Sequence, residues 1–181
     1  MLDSADSLFN RPGAAMWLLN LLFVVIAVVT AFGLAGYGCS ALARHGVRRG
    51  GPVPVLRALG ALAGAVAAGL YAWGLLIIVG ALMTAEDGGT NSAPPQSCRT
   101  SGWWERQKEG IGIVDYSVSY VPLRFVCETS DGGRYDNGDV PGYVNPAALG
   151  FALAGTGFVI SAGYAAELRT RGQARRAEPG R

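Results

Sequence analysis

The sequence predicts a membrane α-helical protein, with three transmembrane helices and a small disulfide-tied antiparallel β insertion between helices 2 and 3. Three observations carry this. Half of the 181 residues are hydrophobic and only 15% are charged, and the apolar residues fall into three long blocks instead of spreading as a soluble core requires. Arginines gather beside particular ends of those blocks. The one long connection carries two of the three cysteines inside a stretch patterned as short strands.

The first block runs from Ala14 to Tyr37 without a charge, its most polar members being Asn20 and Thr30. The second runs from Leu56 to Met83 with Arg57 at its start, and the third, Ala147 to Ala166, is again uncharged. Each supplies the roughly 20 apolar residues that cross a ~30 Å hydrocarbon layer as a helix. The resulting division is an outer N-terminus over 1–13, helix 1 over 14–38 and a basic loop over 39–55. Helix 2 follows over 56–83, an outer segment over 84–145, helix 3 over 146–167 and an arginine-rich tail over 168–181.

Lys and Arg near span ends stay on the cytoplasmic side. Arg44, Arg48, Arg49 and Arg57 follow helix 1, and Arg169, Arg171, Arg175, Arg176 and Arg181 follow helix 3. Both groups therefore face the cytoplasm, which places the N-terminus and the long connection outside a cell membrane that the chain crosses several times. That connection holds five basic against nine acidic residues. Trp17, Tyr37, Tyr143 and Tyr164 sit where interfacial aromatics belong. The tail is expected to lie against anionic headgroups and to lose order beyond Gly172. The phrase "LAGYGC" invites a lipoprotein cleavage reading, but Gly36 stands where an aliphatic residue is usual, and cleavage would carry three arginines outside.

Topology sorts the cysteines. Cys98 and Cys127 share the oxidising side and are expected to pair, whereas Cys39 lies at the cytoplasmic edge as a small packing residue. No C-x-x-C redox pair occurs, and the single histidine, His45, lies on the other side, so neither metal nor cofactor is expected.

Within the outer segment, Thr84 to Ser97 reads as a loop. Val114, Tyr116, Val118 and Tyr120 alternate with Asp115, Ser117 and Ser119, the period of a half-buried strand. The phase changes at Val121 and Pro122, where a break or bulge is expected, and Val121, Leu123, Phe125 and Cys127 form the next apolar set. "SDGG", Ser130 to Gly133, then turns the chain into a short return strand around Tyr135. Asn145 and Pro146 suit the N-cap and first position of helix 3. Trp103, Trp104, Tyr116, Tyr120, Arg124 and Tyr135 are the candidate interaction surface. "DGGRYDNGD" lacks the spacing and distal Glu of a calcium loop.

The spans lack the ionisable interior groups that transport demands. They do carry small-residue stripes, with Gly60 and Gly64 in helix 2 and Gly150, Ala154, Gly157 and Ser161 in helix 3, suited to close helix packing. Three spans, a two-cysteine outer loop and the phrases "VSYVPLRFVC" and "VPGYVNP" together resemble small three-span integral membrane proteins of high-GC Gram-positive bacteria. The resemblance covers Val118 to Pro146 and implies no activity.

The expected role is an accessory, scaffold or sensing subunit. Its partners are the lipid bilayer and another membrane protein or a second copy, with no nucleic acid. An envelope enzyme using Glu105, Glu109, Asp115 or Asp136, and a small transporter component, are the alternatives from other classes.

Overall fold

A computed structural model of the protein describes residues 12–45, 51–86 and 94–177. Residues 1–11 of the expected outer N-terminus over 1–13, the centre of the basic loop with Arg48 and Arg49, the loop residues 87–93 and the tail from 178 lie outside the described residues.

Among the described residues, three helices are long and apolar enough to cross a membrane. They are α1 (Pro12–His45), α2 (Pro52–Glu86) and α4 (Val144–Ala177). A proline opens α1 and α2, where its fixed φ fits and its missing N–H would have no intrahelical partner. At 34 or 35 residues and 1.5 Å rise, each is roughly 50 Å long, well beyond the ~30 Å a hydrocarbon layer needs. Between α2 and α4 come a 3₁₀ turn at Gln96–Cys98, the short α3 (Trp103–Lys108), and strands β1 (Ile113–Tyr120), β2 (Leu123–Thr129) and β3 (Arg134–Asp136). The tail departs from expectation: α4 runs past Gly172 to Ala177. The "QARRA" that follows the glycine consists of strong helix formers, which carry the helix across it.

The chain forms two compact units, one from Met1–Ile26 with Tyr71–Asn145, the other from Ala27–Leu70 with Pro146–Arg181. The second apolar block is thus shared between them. In the first unit Leu75, Ile78 and Leu82 of α2 are completely buried. Of its most apolar window 39% is buried, against 11% for the corresponding windows of α1 and α4, so part of what reads as lipid-facing sequence is protein core. Apolar composition alone cannot separate the two, because lipid tails and a core present the same solvent to leucine.

The first unit holds the sheet, antiparallel in the order β1-β2-β3. Tyr120 pairs with Leu123, so Val121 and Pro122 form a two-residue turn with a cis bond between them, proline taking the third turn position. The expected break at Pro122 is therefore a full reversal of the chain, and Val121, expected in the apolar set of the second strand, is instead exposed at the turn. The extra residue of a bulge falls instead near Val114, between Ile113 paired with Thr129 and Asp115 paired with Glu128.

In the second unit α2 lies between the other two helices. A Cβ on Gly38 of α1 would stand 2.8 Å from Leu62 and 3.0 Å from the Ala58 carbonyl, and one on Gly64 would stand 3.1 Å from Leu34. A Cβ on Gly60 would stand 3.1 Å from the Gly155 carbonyl, and one on Gly155 would stand 3.0 Å from the Gly60 carbonyl. The backbones touch because neither residue carries a side chain. Gly60 and Gly64 thus lie at helix contacts, but the α4 face differs from the stripe read in sequence. Gly155 and Ala162 are buried, while Gly150, Ala154, Gly157 and Ser161 are exposed. In a helix so rich in Gly and Ala, several stripes satisfy the same spacing, and only the partner's shape selects one.

Gly155→Val is expected to destabilise this unit by about 1–3 kcal/mol through overpacking. Gly157→Val, at a position with nothing within 4 Å, should change little. Thermal unfolding of the detergent-solubilised chain compares the two, and equal midpoints would reject the Gly60/Gly155 crossing.

Candidate interaction module

The sheet has two chemically distinct faces. Along β2, Leu123, Phe125, Cys127 and Thr129 are buried, whereas Arg124 is exposed and Val126 and Glu128 are half-buried. On the inward face Tyr116, Cys127 and Tyr135 stand in one row and Val118 faces Phe125 in the next. The Tyr116 ring stacks on Phe125 with centroids 5.3 Å apart.

Cys127 is bonded to Cys98, with Cα atoms 5.9 Å apart. The bond ties the loop after α2 to the middle strand. Beside it the Tyr135 hydroxyl donates to the Cys98 carbonyl, and the Arg106 guanidinium of α3 covers the Tyr135 ring at 4.2 Å. Burial pushes the Tyr135 phenol above its ordinary range, with Arg106 and a hydrogen bond from Thr100 pulling the other way, so it stays protonated to donate. Arg99 lies over Trp103 at 5.5 Å, and Trp103 and Trp104 are 4.5 Å apart, Trp104 being mostly exposed.

Side-chain to backbone bonds fasten the β1–β2 turn to the helices of the same unit. Asn145 bonds Leu123 twice, its Oδ1 accepting from the backbone N–H at 2.9 Å and its Nδ2 donating to the carbonyl at 3.1 Å. It thereby acts as a short extra strand neighbour, and α4 begins one residue earlier, at Val144, so Asn145 is not the N-cap expected of it. Pro146 still falls in the first turn, where no donor is missed. The Tyr71 hydroxyl of α2 donates to the Tyr120 carbonyl at 3.1 Å, and Tyr120 meets Phe23 of α1 edge-on at 5.1 Å. A Cβ on Gly74 would stand 2.5 Å from Leu123, so only glycine lets that leucine seat against α2. Asn20 is fully buried within α1 and donates to the Leu75 carbonyl at 3.4 Å. Its Oδ1 and the Tyr120 hydroxyl are buried without a partner among the described residues.

The outward face is polar and internally paired. Arg124 lies 3.6 Å from Asp136 and Arg134 lies 3.0 Å from Glu128, with Ser117 and Ser119 alongside on β1. Such exposed pairs add little stability, of order 0–1 kcal/mol, but they set a fixed pattern of charge on a flat surface.

The six residues singled out from sequence therefore do not form one surface. Tyr116, Tyr120 and Tyr135 face inward and build the core, Arg124 faces outward, and Trp103 and Trp104 belong to α3. Period-two alternation separates the faces without saying which is inward. The missed outward residues, Glu128, Arg134 and Asp136, show in sequence only as the charges alternating with the core set.

The carboxylates between α2 and α4 are dispersed. Asp115 accepts from the Tyr116 N–H at 2.8 Å, Asp136 from the Gly138 N–H at 3.0 Å, and Asp139 from Asn137 Nδ2 at 2.6 Å. No group of three metal-ligating side chains occurs among the described residues. In the Ser130–Gly133 turn the Thr129 hydroxyl and then the Gly133 N–H, at 3.0 Å, donate to Asp131 and hold its carboxyl below the usual range. A depressed carboxyl stabilises the turn above its unfolded pKa of about 3.9, and this contribution is lost as pH falls through the lower folded value. Thr129 and Gly133 NMR signals are expected to titrate below the ordinary Asp range and to stop doing so in Asp131→Asn. A midpoint at the ordinary value would remove this account of the turn.

The fold and this module define a class: a chain of three long apolar helices bearing a disulfide-stapled three-stranded sheet. Compared with protein-family models, curated proteins and solved structures, the chain matches none.

Proposed function

We propose that this is a multi-pass protein of the plasma membrane, N-terminus outside and C-terminus cytoplasmic, that presents the sheet to the outer part of another membrane protein as an accessory or sensing subunit. The observation that carries the reading is the anchorage of the sheet by Asn145, Tyr71 and the disulfide while its charged face stays open. A module held at this many points presents its surface without paying the ordering entropy of a loose loop. The arginines of the basic loop and tail support the orientation. The contact surface is the outward face with Arg124, Glu128, Arg134 and Asp136.

The test is photocrosslinking in intact cells from position 126, central on that face, followed by purification in mild detergent. One discrete partner is expected, with its yield reduced by Asn145→Ala, which frees the β1–β2 turn, and by charge reversal at Arg124. A monomer that crosslinks to nothing would overturn the reading.

A further inference from the structure

The second unit contains a cleft that the module does not use. Its volume is about 590 Å³, within the ~300–1,000 Å³ of small-molecule sites. Tyr37 of α1, Arg57, Gly60 and Gly64 of α2, and Ala152 and Thr156 of α4 are among its lining residues. The cleft exists because glycines and alanines replace bulk where the helices meet, the same substitution that lets Gly60 and Gly155 touch. The Thr156 hydroxyl is spent on the Ala152 carbonyl at 2.9 Å, so the walls are apolar along their length.

Polarity is confined to Arg57 and the Tyr37 hydroxyl. Arg57 is exposed and makes no hydrogen bond or ion pair among the described residues. The Arg169 guanidinium lies over Gly51, just before the first turn of α2, 2.8 Å from where a Cβ there would stand. Glu167 is the single acidic residue described in this unit, and it is engaged by Arg171 at 2.9 Å. The field at this end of α2 is therefore positive and uncompensated.

We propose that this cleft binds one anionic glycerophospholipid, with an acyl chain between the helices and the headgroup phosphate on Arg57, beside the Tyr37 hydroxyl. An apolar slot with a cation at its end fits an amphiphile; free phosphate would leave the slot uncovered. A second copy would bring its own arginines against these. The inference rests on the chain being inserted in a membrane, which is tested separately by its resistance to alkaline extraction from membranes.

Native mass spectrometry of the full-length chain in mild detergent, titrated with phosphatidylglycerol, phosphatidylcholine of the same chains and inorganic phosphate, tests the proposal. One phosphatidylglycerol is expected to bind more tightly than phosphatidylcholine, with inorganic phosphate neither binding nor competing. Arg57→Gln should weaken phosphatidylglycerol roughly fivefold, near the value of one basic residue at a lipid surface, and Arg57→Lys should restore most of it. Ala152→Phe or, should that variant not fold, Thr156→Leu should weaken both lipids by filling the slot. The proposal is overturned if Arg57→Gln leaves the preference for phosphatidylglycerol unchanged, if the filled variants bind as the parent does, if phosphate competes, or if the chain is a dimer that takes up lipid only on dissociating.

Discussion

Replacing Cys98 and Cys127 together by serine is expected to unfold the sheet while leaving the three long helices intact. The bond spans a sequence separation of 29 residues. On the chain-entropy model, closing a loop of that size contributes about 3.5 kcal/mol. The module has little else to draw on: its strands are 8, 7 and 3 residues long, and a domain that small cannot bury much apolar surface. Both sulfurs also belong to fully buried residues, so the serines would place two hydroxyls where no solvent reaches. A loss of about 3.5 kcal/mol raises the open population several-hundredfold. Limited proteolysis of the detergent-solubilised chain should show that rise as cleavage between residues 94 and 145, with helical circular dichroism almost unchanged. Thiol counting supplies an independent check, since Cys39 is free. One thiol should alkylate in denatured, unreduced protein and three after reduction. A double variant that resisted protease as well as the parent would show that the bond does not hold the sheet.

That pairing was legible in sequence because expected topology and chemistry agreed: two cysteines in the one long connection, the third near the arginines. The strands were legible as well, through the alternation from Val114 to Tyr120 and from Leu123 to Cys127. What sequence could not supply was the partner of each face. Tyr116, Tyr120 and Tyr135 read as part of an interaction surface because alternation marks two faces without assigning an interior, and the interior is set by the contacts of Arg106 and Cys98 with residues distant along the chain. Asn145 reads as a helix cap on local grounds, yet its amide is taken by Leu123, 22 residues away. The contact face of α4 was hidden for the opposite reason, since small residues are so common there that Gly155 stands out only once Gly60 lies against it. Local signals located the elements, and long-range contacts decided what each side chain does.

Phe125→Ala is expected to cost about 3–5 kcal/mol, the range for emptying a fully buried aromatic site, and it tests the assignment of faces directly. Phe125 is the largest fully buried side chain among the described residues. Its ring stacks on Tyr116 at an interplanar angle of 15°, so truncation removes an aromatic contact together with buried area. Val126, the next residue, points outward opposite Ser117 and Asp136, and Val126→Ala should therefore stay within about 0.5 kcal/mol. Equal protease sensitivity of the two variants would mean that the inward face has been misassigned. The two largest effects should also be coupled, because Phe125 and Cys127 lie on the same buried face of one strand. With the disulfide removed the sheet is already mostly open, so Phe125→Ala has little folded structure left to destabilise. It should add far less to the cleavage rate in that background than in the oxidised chain. Full additivity would mean that the sheet stays folded without its disulfide, and that the apolar core, with Phe125 at its centre, holds it alone.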